Sequence, residues 1–200
     1  EYFPAVDNVS LKLGRNEILA IVGESGCGKS TLATSIIGLH NPNNTKLEGE
    51  INFEGRNLLK IGEEEYNKIR GNKIGMIFQD PLSALNPLMR IGEQIEEGMI
   101  YHTKLSKKER EERVLELLNH VGIKNAERIT RQFPHELSGG MRQRVIIAIA
   151  LSCKPEVIIA DEPTTALDVT IQAQILDLLK TLQSEINAGI ILITHDLGVV

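Results

Sequence analysis

The stretch Gly23-Glu-Ser-Gly-Cys-Gly-Lys-Ser30 constrains this chain most, because a glycine-rich loop of this spacing works only between a strand and a helix. The flanks supply both elements. Glu17 to Val22 reads as a short buried strand, and Lys29 to about Leu39 as a helix ended by Asn41-Pro42. Glycines let such a loop curl until successive backbone N–H groups converge on a phosphate, and the helix N-terminus adds partial positive charge. Lys29 is then expected to reach the β- and γ-phosphates of a nucleotide, and the Ser30 hydroxyl to ligate Mg²⁺. Gly23, Ser25, Gly26, Cys27, Gly28, Lys29, Ser30 and Thr31 are the expected nucleotide-binding residues of the loop.

The rest of the chain alternates strand and helix signals. Val9 to Leu13 and Glu50 to Phe53 alternate apolar and polar residues, predicting a small antiparallel layer. Lys73 to Phe78 predicts another strand, interrupted by Gln79-Asp80-Pro81, where neither helix nor strand easily continues. From about 87 to 144 the pattern turns helical and charged, with Ser106 and Glu109 spaced as a capping box ahead of an amphipathic run from Arg113 to His120. That stretch is expected to form an inserted helical subdomain. Glu156 to Ala160 and Gly189 to Thr194 predict buried strands on either side of a helix over 169–187, with Asp168 as its N-cap, and therefore a parallel pair.

Two further motifs carry chemistry. Val157-Ile-Ile-Ala-Asp161-Glu162 is an apolar strand ending in two carboxylates, which suits Asp161 to support a phosphate-bound cation and Glu162 to orient or deprotonate an attacking water. Leu137-Ser-Gly-Gly-Met141 opens an apolar helix, with Ser138 as N-cap and Gly139 and Gly140 admitting another backbone or an anion. Composition narrows the field: with 22 basic against 27 acidic residues, the net charge of -5 speaks against a broad nucleic-acid footprint. Cys27 and Cys153 have neither disulfide-framework nor metal-site spacing, which fits a reducing compartment. The longest apolar run, Val145 to Leu151, falls far short of the roughly 20 residues of a membrane helix. The start at Glu1 and the stop just after a strand-like segment suggest part of a longer chain.

Taken in order, the phosphate loop, the Leu-Ser-Gly-Gly segment and the strand ending in Asp-Glu closely resemble the ABC ATPase family. The resemblance implies an α/β P-loop NTPase over residues 1–200, with a mixed sheet core, a small antiparallel β layer and the helical subdomain at about 87–144. It implies ATP and Mg²⁺ as ligand and cofactor. Gln79 resembles the Q-loop glutamine, expected to contact Mg²⁺ and the attacking water; Ala166-Leu167-Asp168 resembles the D-loop; His195 resembles the switch histidine that meets the γ-phosphate. Glu162, His195 and Gln79 are thus the expected catalytic residues, with Ser30, Gln79 and Asp161 around the metal. Tyr2 or Phe3 would stack on adenine. Ser138, Gly139, Gly140 and Asp168 would act across a head-to-tail dimer.

Phe78-Gln-Asp-Pro-Leu-Ser-Ala-Leu-Asn-Pro87 and His135-Glu-Leu-Ser-Gly-Gly-Met-Arg-Gln-Arg144 are similar to the dipeptide and oligopeptide importer subfamily, whose members also serve nickel and other solutes. That resemblance implies a peripheral subunit at the cytoplasmic face of the cell membrane. Its partners would be a second ATPase subunit, integral-membrane permease subunits and, indirectly, an extracytoplasmic solute-binding protein, with no nucleic acid. The alternatives are a soluble ABC ATPase acting on DNA or ribosomes and a nucleotide-binding regulator without turnover. Lys29 and Ser138 are 109 positions apart with no sustained heptads between them, unlike chromosome-maintenance relatives. Glu162 and His195 argue against a non-catalytic regulator.

Overall fold

A computed structural model describes residues 3–41, 43–165 and 167–195. Its centre is a four-stranded parallel sheet in the order β1 (Ile18–Val22), β6 (Gly189–Thr194), β5 (Val157–Asp161), β4 (Ile74–Ile77). The register aligns Ile18 with Ile190 and Ile158 with Ile190 on the two sides of β6, and Ile74 with Val157 on the far side of β5. Because every strand runs the same way, all four carboxyl ends lie along one edge. That is where ligands bind in open α/β sheets.

Alternation along β5 and β6 divides the core between the two faces of the sheet. Ile158, Ala160, Ile190 and Leu192 join one apolar cluster with α4 (Ile91–His102), α5 (Lys107–His120), α7 (Gly139–Leu151) and α8 (Val169–Ile186). Ile159, Ile191 and Ile193 face the other way, onto Ala33 of α1 (Lys29–Ile36) and Ile37 just after it, and onto Tyr66 and Ile69 of α2 (Glu63–Ile69). Each fully buried isoleucine of these strands contributes roughly 1.5–3 kcal/mol by leaving water, which makes β5 and β6 the rigid mount of the site. Short helices α3 (Pro81–Ala84) and α6 (Ala126–Ile129) complete the helical elements numbered here.

Several elements follow the local chemistry of the sequence closely. α5 opens with the expected capping box: Ser106 Oγ accepts from the Glu109 N–H at 3.4 Å, and the Ser106 N–H donates to Glu109 Oε2 at 2.7 Å. Asp168 caps α8 by accepting from the Ile171 N–H at 3.0 Å. β5 and β6, joined through α8, are the expected parallel pair.

Four local expectations give way. Val9 to Leu13 forms no strand; no neighbouring strand offers it a ladder among the described residues, and Val9 and Leu11 are 54% and 41% exposed. The antiparallel layer is instead a tight hairpin of β2 (Asn52–Phe53) and β3 (Arg56–Asn57). β1 is half-exposed rather than buried, because it lies at an edge of the parallel sheet. α1 ends before Leu39, where Gly38 turns left-handed (φ 67°) and the Gly38 and Leu39 N–H groups fold back onto the carbonyls of Ser35 and Thr34. After Gln79, Asp80-Pro81 starts a helix rather than preventing one: proline is suited to the first helical position, and the Asp80 carboxylate accepts from the Leu82 N–H at 2.9 Å.

Candidate functional site

The loop between β1 and α1 is shaped for an anion. The N–H groups at the start of a helix have no partner within it, and Leu32 is the first of α1 to donate back, to the Gly28 carbonyl at 2.9 Å, which leaves those of Lys29, Ser30 and Thr31 for the loop. Gly28 caps the helix at φ 94°, and a Cβ there would stand 2.2 Å from the Ala5 carbonyl oxygen, so a side chain is excluded twice over. Ser25, Gly26, Cys27, Gly28, Lys29, Ser30 and Thr31 line a cleft of about 460 Å³, closed by Pro4 and Ala5 on one side and by Gln79 and Glu162 on another. Gly23 ends β1 and donates its N–H to the Thr194 carbonyl at 3.4 Å.

Lys29 is 7% exposed, and its ammonium donates to the carbonyls of Gly23 and Glu24 at 2.7 and 2.6 Å. Cys27 Sγ lies 3.6 Å from the same ammonium, and the Glu162 carboxylate 4.0 Å away at Oε1. A buried cation held mainly by neutral carbonyls beside a cleft of this kind is suited to take a stronger anion.

Glu162 is the hub. It follows directly on β5, 9% exposed, with its N–H donated to the Ile193 carbonyl at 2.9 Å and its backbone in the left-handed region at φ 45°. For a glutamate that conformation costs on the order of 1 kcal/mol, and such strain gathers at functional sites. Its Oε2 accepts from Gln79 Nε2 at 3.2 Å, from the Thr165 hydroxyl at 3.0 Å and from His195 Nδ1 at 3.1 Å. An ionised carboxylate only accepts, so the His195 proton sits on Nδ1. The strand order explains the convergence: β1 delivers the loop, β6 delivers His195, β5 delivers Asp161 and Glu162, and β4 delivers Gln79, all at one edge.

Asp161, one residue earlier, points to the α1 face. It is 6% exposed, and its Oδ1 has no hydrogen-bond partner among the described residues. Burial pushes its carboxyl above the ordinary value near 3.8; a hydrogen bond from Ser30 opposes this, Glu162 adds to it and the Lys29 charge opposes it. An orphaned carboxylate oxygen next to a serine hydroxyl at a phosphate cleft is a donor set that fits Mg²⁺, which takes few protein oxygens and completes its shell with water and phosphate. Among the described residues no group of three or more His, Cys, Asp or Glu is arranged to hold a metal without such help.

The structure thus brings together the loop, Lys29, Ser30, Gln79, Asp161, Glu162 and His195. Ser138, Gly139, Gly140 and Asp168 do not line the cleft. Ser138 is exposed and caps α7 by accepting from the Met141 N–H at 3.3 Å. A Cβ on Gly140 would stand 3.0 Å from Ile171 Cγ2, so the start of α7 lies against the start of α8, beside the exposed Asp168. Tyr2 lies outside the described residues, as does Ala166; Phe3 is 85% exposed. Thr165 escaped the sequence reading, and its signal was the spacing: Pro163 in a tight turn returns a hydroxyl three residues after Glu162 to the same carboxylate.

Comparison with known proteins agrees with this geometry. The sequence profile of the family described as "ABC transporter" matches residues 6–165. The oligopeptide transport ATP-binding protein OppD of Lactococcus lactis subsp. cremoris (strain SK11) is 58% identical over 98% of this chain and 58% of its own length. AppD, an oligopeptide transport ATP-binding protein of Bacillus subtilis (strain 168), is 55% identical over 100% of this chain and 61% of its own. The chain therefore spans about three fifths of the length of these relatives. Among solved structures, the ATP-binding cassette MJ0796, dimeric in a post-hydrolysis state bound to ADP and Pi, superposes with a TM-score of 0.85 at 37% identity, covering 98% of this chain and 82% of that one.

Proposed function

Because this chain belongs to the ABC transporter family, we propose that it binds and hydrolyses ATP to energise a membrane importer of oligopeptides or dipeptides. The observation that carries the chemistry is the convergence of Lys29, Gln79 and His195 on the Glu162 carboxylate at the mouth of the phosphate-loop cleft. Glu162 serves these donors as an acceptor in a role that a γ-phosphate would take over. When ATP enters, Lys29 turns to the β- and γ-phosphates and His195 to the terminal phosphate, and Glu162 is released to act on water. Glu162 accepts the proton of the attacking water as its oxygen bonds to the γ-phosphorus and the bond to the ADP oxygen breaks. Ser30, Asp161 and Gln79 would hold Mg²⁺, whose charge offsets that of the phosphates when bound. Lys29, being buried, excludes water from the same corner.

Ser138 and Asp168 are exposed, Gly139 and Gly140 are half-buried, and none of the four lines the cleft, which supports a reading in which they serve the nucleotide of a second ATPase subunit in a head-to-tail dimer. No helix among the described residues is long and apolar enough to cross a membrane. Attachment to the cytoplasmic face would therefore go through permease subunits, with an extracytoplasmic solute-binding protein selecting the cargo. The names of the relatives support peptide as that cargo.

The test is affinity purification of the full-length protein from native membranes, followed by uptake of labelled peptides in cells lacking it. Recovery of multi-span permeases together with lost peptide uptake supports the reading. Recovery of ribosomal or DNA-associated proteins without any integral-membrane partner overturns the transport role and leaves the ATPase chemistry standing.

A further inference from the structure

Of the four groups around the Glu162 carboxylate among the described residues, three have another partner to go to once nucleotide is bound. Lys29 and His195 can turn to phosphate, and Gln79 to the metal or to water. Thr165 cannot, because its hydroxyl is fixed by a short covalent path. Its N–H donates to the Glu162 carbonyl at 3.1 Å, closing a four-residue turn in which Pro163 holds its own φ. That turn places the Thr165 Oγ1 3.0 Å from Glu162 Oε2 without calling on any group of the cleft lining other than Glu162 itself. The same turn follows the left-handed Glu162 backbone, so the carboxylate springs from a strained residue and is tied down three residues later.

We propose that Thr165 is a positioning residue for ATP hydrolysis: its hydroxyl is the donor that stays on Glu162 Oε2 when the other three leave, and it keeps the carboxylate aimed with Oε1 open to the attacking water. This rests on the reading of Glu162 as the group that takes the water's proton. A carboxylate with no remaining donor would sample several rotamers at the end of its two-carbon arm. One retained hydrogen bond to a charged acceptor selects among them without blocking the second oxygen. Thr165 itself touches neither phosphate nor water and does no chemistry.

The test compares Thr165→Val, which keeps shape and loses the hydroxyl, with Thr165→Ser, which keeps the hydroxyl, in the full-length protein within its purified complex. We expect Thr165→Val to lower kcat about tenfold, equivalent to about 1.4 kcal/mol in the barrier. The Kd for Mg-ATP and the thermal midpoint should stay near wild type, and Thr165→Ser should return kcat to within about threefold of wild type. In a Glu162→Gln background, Thr165→Val should add little, since the two act as one unit. An unchanged kcat in Thr165→Val overturns the proposal. So does a loss that serine fails to restore, or one accompanied by an equal loss of nucleotide affinity or of folding. A Glu162→Gln protein that turns over at the wild-type rate refutes the base assignment instead, so the two failures are told apart.

Discussion

Asp161 offers the sharpest test of the site in the absence of nucleotide, because it links stability to function with opposite signs. Its side chain is 6% exposed with one carboxylate oxygen unpartnered, and burial holds its carboxyl above the ordinary value near 3.8. A raised carboxyl means that the native state binds a proton which the unfolded chain has released. The contribution of this group to stability is therefore most favourable in acid, and it declines as pH rises from about 3.8 through the folded-state value. At neutral pH the ion stays buried at a net cost, and Asp161→Asn removes the charge while preserving the shape. Leaving one buried polar atom unsatisfied costs about 1–3 kcal/mol, more when it is charged, and the new amide keeps part of that cost. A net gain of about 1 kcal/mol remains, which for a chain of this size moves Tm upward by about 2–4 °C. The assay is thermal unfolding without nucleotide or divalent cation, at pH 7 and again near pH 4, where the gain should shrink. With Mg-ATP the order should reverse if Asp161 supports the metal as proposed, since wild type then gains more stability from the ligand than the variant does. An Asp161→Asn protein that melts below wild type at pH 7 without ligand would refute the reasoning.

Two further outcomes probe the scaffold. Ile147 of α7 is fully buried in the cluster that joins the helices to the sheet, so Ile147→Ala should cost about 3 kcal/mol, read as a lower midpoint in urea unfolding with unchanged slope. Ser106→Ala removes the N-cap of α5 and should cost about 1 kcal/mol at pH 7. The Glu109 carboxyl is held below its ordinary value, first by its hydrogen bond with the Ser106 side chain, so its contribution is present above the unfolded pKa and is lost as pH falls through the folded one. The difference between Ser106→Ala and wild type should accordingly narrow in acid, as followed by circular dichroism.

The parts of the fold visible in the sequence are those decided by local chemistry. The phosphate loop, the cap at Ser106, the cap at Asp168 and the continuous apolar runs of β5 and β6 each depend on residues a few positions apart. The hidden parts depend on partners distant in sequence. Val9 to Leu13 has the alternation of a strand but no strand to pair with among the described residues, and the half-exposure of β1 follows from its place at the sheet edge, which no local pattern encodes. The site divides the same way. Lys29 and Ser30 could be read from their motif, and Asp161 and Glu162 from a strand ending in acids. That Gln79 and His195 meet on a single oxygen of Glu162 depends on strand order, in which β6 lies between β1 and β5. Thr165 was overlooked because a threonine in a turn is ordinary until its hydroxyl is seen to reach back to the carboxylate.

The central claim is that Glu162 is held in reserve by the nucleotide-binding groups and then acts on water. Its most direct test is the turnover of ATP by Glu162→Gln in the full-length protein, measured as phosphate release beside the Kd for Mg-ATP. The account predicts nucleotide affinity close to wild type and turnover lower by about a hundredfold or more, the range expected for loss of a general base. Turnover within about twofold of wild type at unchanged affinity would contradict it.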